Sequence, residues 1–227
     1  MEEKPADVFE KSIMAAKRGA SAYEVWQGFV YIAAYEIAAS CNQDCSEFEG
    51  MYRASIERFK PAEGDLRQVF TALVAMLDEN PYQDALGDMY MRLGIGNEAG
   101  GQFFTPFHVS KLLARINLSK ATQTIAEQGY ITISEPSCGA GANVIACCAA
   151  MADMGIDWQR QAVFECQDIS VITALMCYVQ LSLIGAAARV VIGDTLAGER
   201  RIALSTPVFM VEPVWVARSM GGDVFGC

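Results

Sequence analysis

A chain of 227 residues, 52% hydrophobic and 19% charged, can bury a sizeable core, which excludes an intrinsically disordered protein. Its net charge of −10 excludes a free-standing nucleic-acid binder that is basic overall, because neutralised phosphates supply much of such a protein's affinity. A local basic patch around Arg53, Arg58 and Lys60 stays open, and a DNA-acting role is easier with a partner that supplies contacts.

The opening MEEKPADVFEK is acidic and no apolar core follows it, so no secretory signal is expected and the location is expected to be cytoplasmic. Eight cysteines then read as reduced thiols. Cys41 and Cys45 lack a second ligand pair and His108 is the single histidine, so no metal site is expected.

Residues 5–18, 21–39, 46–60 and 64–79 carry apolar positions at three- and four-residue spacing and are predicted helices. In the second, Val25, Phe29, Ile32 and Ile37 share a face, and the aromatics Tyr23, Trp26, Tyr31 and Tyr35 read as core. Gln27 and Glu36 make residues 25–39 unsuitable as a membrane span, and Pro61 and Asn80-Pro81 punctuate the pattern. GIGNEAGG (94–101) marks a boundary between a helical N-terminal region, 1–100, and a second domain, 101–227. GQFFTPFHVSKLLARI follows, with Thr105 as N-cap and Pro106 as first residue of a helix to about Ile116. His108 is assigned capping or packing.

From residue 130 the pattern alternates. YITIS, QAVFECQD and ARVVIGD read as strands, with RIALSTPVFM as a candidate fourth, and two helices ending at Gly155 and Gly185 lie between the first three. Residues 169–188 are long enough to span a membrane, but Asp168 and Arg189 bracket them and Gln180 interrupts them, so a buried helix is expected. The fold class is α/β, a parallel sheet with flanking helices preceded by a helical region.

In such sheets ligands bind outside the carboxyl ends of the strands. Those ends carry Glu135 with the loop PSCGAG, then Asp168, then Asp194. Gly139 and Gly141 allow close backbone approach, and a helix N-terminus follows. No Gly-Lys-Ser/Thr is present and residues 121–227 contain no lysine, which argues against a triphosphate. Val144 breaks the dinucleotide fingerprint. Three acids suit a ligand with an amine for Glu135, a ribose diol for Asp168 and an amino-purine for Asp194, and S-adenosylmethionine has all three. Asp168 also fits as a cap of the next helix, and Asp194 as a turn residue.

EPSCGAG (135–141) and GQFFTP (101–106) together resemble two segments of the adenine-specific N6 DNA methyltransferases, most closely the modification subunits of type I restriction systems. GDTL (193–196) resembles their adenine-contacting segment, and the helical region is also similar, so the likeness covers roughly 1–196. It implies a Rossmann-like S-adenosylmethionine-dependent core and DNA as substrate. Phe104 and Thr105 would lie against the methionine end, Glu135, Pro136, Cys138, Gly139 and Gly141 would form the loop, and Asp168 and Asp194 would hold ribose and adenine. Cys138 alone reads as a small buried residue.

The family's Asn/Asp-Pro-Pro-aromatic segment, which grips the flipped-out base, is absent. STPVF (205–209) stands nearest its place, making Thr206, Pro207 and Phe209 the candidate catalytic residues, although ALSTPVFM also reads as a plain edge strand. Only about thirty residues follow Asp194, so a shortened or orphan member of plasmid or phage type is expected, with target recognition from a partner subunit or homo-oligomer. The alternative is a degenerate subunit or anti-restriction decoy that keeps the fold.

Overall fold

The computed structural model describes residues 3–95 and 105–220. The expected boundary at residues 100 and 101, and the site residue Phe104, lie outside them. The N-terminal helices are α1 (Pro5–Ala16), α2 (Ala22–Ser40), α3 (Ser46–Phe59), α4 (Glu63–Glu79) and α5 (Ala85–Arg92). The first four follow the apolar periodicity to within two residues at each end. Helix α2 starts at a capping box in which Ser21 and Glu24 satisfy each other's backbone N–H groups. Phe9, Trp26, Phe29 and Tyr90 meet at centroid distances of 5.5–5.8 Å and centre this half's core.

Two further helices, α6 (Phe107–Asn117) and α7 (Ala121–Gln128), lead into the sheet. Pro106, not Thr105, takes the N-cap of α6, with extended ψ of 132°. The rest runs β1 (Ile131–Glu135), α8 (Ala142–Asp153), α9 (Trp158–Gln161), β2 (Ala162–Asp168), α10 (Val171–Ile184), β3 (Ala188–Ile192), β4 (Ile202–Ser205), α11 (Pro207–Val211) and α12 (Pro213–Met220). The strand order is β1-β2-β3-β4, with the first three parallel.

Register divides the side chains between two faces. Ile131, Phe164, Cys166, Val190 and Leu204 share one face and join one core with α8, α10 and the N-terminal helices. Helix α10 lies between the sheet and α2, which is why it is buried nearly all round and why 169–188 is so apolar. No helix among the described residues is long and apolar enough to cross a membrane. The other face carries Thr132, Ser134, Glu165, Gln167 and Arg189 beside buried Val163 and Val191, and among the described residues a small group of Val163, Ala187, Phe209 and Trp215 packs there.

Strand β4 departs from expectation by running antiparallel to β3. The connection from Gly193 to Arg201 contains nine residues, whereas a crossover to a parallel strand needs about a dozen or more. The chain therefore turns back at once. The outer edge of β4 is capped by the Gln43 side chain, which both donates to the Ser205 carbonyl and accepts from the Ser205 N–H, each at 2.7 Å.

Candidate cofactor site

Glu135 closes β1, and the loop Pro136–Gly141 then turns into α8. Gly139 and Gly141 have φ of 53° and 105°, in the left-handed region. A side chain at Gly141 would also meet the Cys177 sulfur at 3.1 Å. The loop is pinned to the next strand, because the Cys138 N–H donates to the Gln167 carbonyl and the Gly139 N–H to Asp168 Oδ2, both at 2.8 Å. The third strand end joins it where Thr195 Oγ1 donates to the Pro136 carbonyl at 2.6 Å and the Gly193 N–H to the Asp168 carbonyl at 3.0 Å. Glu135, Asp168 and Asp194 thus stand at one edge of the sheet, each partly exposed.

The three acids are differently engaged. Asp168 Oδ1 accepts from the Ser170 N–H and from Thr173 Oγ1, so this carboxylate fastens both the glycine loop and the start of α10. Asp194 Oδ1 accepts from the N–H groups of Leu196 and Ala197 and shapes its turn. Glu135 accepts from Ser137 N–H at 3.3 Å and from Asn143 Nδ2 at 3.0 Å. The Asn143 carbonyl oxygen is buried without a hydrogen-bond partner. A buried acceptor of this kind normally finds a donor. A ligand amine placed beside Glu135 would supply one, so the residues present fit a cationic head group. Asn143 was not legible in the sequence, where it reads as one polar residue at the start of an apolar helix.

Behind the loop lies a second polar link that periodicity does not reveal. Gln180, fully buried in α10, donates to the Ala140 carbonyl and to Asp84 Oδ1, both at 2.8 Å, and accepts from the Leu86 N–H at 3.0 Å. Asp84 caps α5 by accepting from the Gly87 N–H at 2.9 Å. Burial pushes its carboxyl up to about 6, against the lowering effect of the Gln180 and Gly87 hydrogen bonds. Cys138 and Cys177 are buried, in hydrogen-bonding contact beneath the loop, and their thiols titrate above the ordinary range. Cys138 therefore packs as a neutral side chain under the loop.

Thr206, Pro207 and Phe209, the residues expected to form the catalytic loop, lie apart from this site. Because β4 is antiparallel, Ser205 pairs with Arg189 at the amino end of β3. Thr206 lies roughly 15 Å of strand away from the glycine loop. Its hydroxyl donates to the Ala186 carbonyl at 2.5 Å and accepts from the Ala188 N–H at 2.9 Å, with no exposure to solvent. Pro207 is the first residue of α11, and Phe209 is buried with Val163 and Trp215. Thr105 is exposed at the mouth of α6. No group of His, Cys, Asp or Glu able to hold a metal occurs among the described residues.

The family model for N-6 DNA methylases matches residues 82–216, more than half of the chain. The chain belongs to the N-6 DNA methylase family. No curated protein matches it. The matched stretch begins two residues before Asp84, so the methylase region takes in α5 and its buried link to the glycine loop as well as the sheet.

Proposed function

We propose that this chain holds S-adenosylmethionine at the carboxyl edge of a Rossmann-like sheet, and that it serves N6-methylation of adenine in DNA. The observation that carries the reading is the joining of three acid-bearing strand ends to a left-handed glycine loop, with the partnerless Asn143 carbonyl beside Glu135. Glu135 and Asn143 would take the amine, Asp168 the ribose hydroxyls and Asp194 the adenine amino group. Pro136, Cys138, Gly139 and Gly141 would form the floor, and Phe104 and Thr105 would lie at the methionine end. The cofactor supplies an electrophilic methyl group on sulfur. What the chain's residues contribute is position and charge balance.

A family member that methylates adenine needs an acceptor that orients the amino group, and STPVF is built into the opposite edge. That placement favours a second reading, in which the chain binds cofactor as a subunit of a restriction-modification assembly and another chain grips the base. Incubation with methyl-labelled S-adenosylmethionine and a random duplex DNA pool, followed by nucleoside analysis, separates the two. Label on N6-methyladenine supports the enzyme. Cofactor binding without label moves the conclusion to the subunit, and a folded chain that binds no cofactor rejects both.

A further inference from the structure

Helix α6 and the N-terminal helices carry two surfaces that neither the cofactor site nor the fold explains. In α6, Val109, Leu112, Leu113 and Ile116 stand at i, i+3, i+4 and i+7, the spacing that ordinarily marks a core-facing stripe. The structure buries a different face. Ser110 and Ala114 are covered, α6 packs along α8, and Leu112, Leu113 and Ile116 are 61%, 44% and 61% exposed. A single exposed leucine is ordinary, but a contiguous apolar stripe on one helix marks an interaction surface. The stripe is flanked by Lys111 and Arg115, the latter paired with Asp153.

Between α2, α3 and α4 lies a groove of about 890 Å³ with an apolar floor of Phe29, Phe59 and Leu66, and with Ile56 and Phe70 on its walls. Its rim carries Glu36, Glu57 and Glu63 against Lys60 and Arg67, and Arg67 is engaged with Glu63. The rim is therefore acidic in balance, opposite in sign to the flanks of the stripe. Within one copy the two surfaces are not engaged, since the stripe is exposed and the groove lies among other helices.

We propose that copies of this chain associate head to tail, with the apolar stripe of α6 from one copy seated in the α2–α3–α4 groove of the next. The fit is that of an amphipathic helix laid in a hydrophobic groove, with anchors at i, i+3, i+4 and i+7. The contact joins two different surfaces, so it builds open chains or a ring and not a closed twofold pair.

Sedimentation velocity over about 1 to 100 μM tests this on the full chain, on Leu112→Glu/Ile116→Glu, and on Ile56→Glu. All three substituted residues are at least 41% exposed, and circular dichroism confirms that each variant is folded. The wild-type mass should rise with concentration beyond a dimer. Each variant alone should stay monomeric. An equimolar mixture should form a dimer and stop there, because one intact stripe meets one intact groove. A wild type that stays monomeric throughout overturns the proposal, as does a mixture that does not pair. Self-association of the Ile56→Glu variant at wild-type strength also overturns it, by showing that the stripe docks elsewhere.

Discussion

Gly141 has no replacement that leaves both its backbone and its neighbour undisturbed. Its φ of 105° disfavours any side chain, and a methyl group there would sit 3.1 Å from the Cys177 sulfur, which must shift slightly to admit it. Gly141→Ala should cost about 1–3 kcal/mol in urea unfolding, and Cys177→Ala should not restore it fully, because the backbone penalty remains. Asp84 gives a pH signature at the same scale. Its folded carboxyl titrates at about 6, above the ordinary 3.8, because burial disfavours the charge. An acid whose proton is held more tightly in the folded chain contributes stability that is complete below the unfolded value. That contribution is lost as pH rises through the folded one, and the window is worth roughly 3 kcal/mol. The stability of the wild type relative to Asp84→Asn should therefore fall between about pH 4 and pH 6, and unfolding curves across that range measure it. A difference that stays flat would show that Asp84 is charged throughout.

At the scale of elements, β4 shows both the reach and the limit of the sequence. RIALSTPVFM reads as a candidate strand, and the structure keeps Ile202–Ser205 of it as β4. Its direction is set by the nine-residue connection from Gly193, which is too short for a crossover. Reversal moves Thr206 from the cofactor edge to the opposite one and turns its hydroxyl into a bridge across the Ala186–Ala188 backbone. Thr206→Val should then cost about 2 kcal/mol, since a buried carbonyl and N–H lose their partner, while cofactor affinity stays within about twofold. Helices α1 to α4 are legible because their apolar spacing is what packing uses, whereas α5, α7 and α11 are too short to carry such a signal. In α6 the apolar stripe whose spacing ordinarily faces a core is exposed, and small Ser110 and Ala114 are the residues covered where the helix packs along α8.

Across the whole molecule, the helical region and the sheet share one core, and Gln180 ties them to the glycine loop by hydrogen bonds. The sequence showed Gln180 only as an interruption in an apolar run, because its partners lie 40 and 96 residues away. Gln180→Met keeps the volume but leaves the Ala140 carbonyl, the Leu86 N–H and one Asp84 bond unmet. Loss of about 3 kcal/mol is expected, together with weaker cofactor binding, and comparison of melting with titration checks both. The surface ion pairs contribute little by contrast, being exposed on both partners. The measurement that bears most directly on the central claim is calorimetric titration with S-adenosylmethionine of the wild type, Glu135→Gln and Thr206→Val. The expected result is saturable binding by the wild type, at least about tenfold weaker binding by Glu135→Gln and unchanged binding by Thr206→Val, because Glu135, unlike Thr206, would face the cofactor amine. Binding that is absent from the folded wild type, or indifferent to Glu135, would contradict a cofactor site at the carboxyl edge of the sheet.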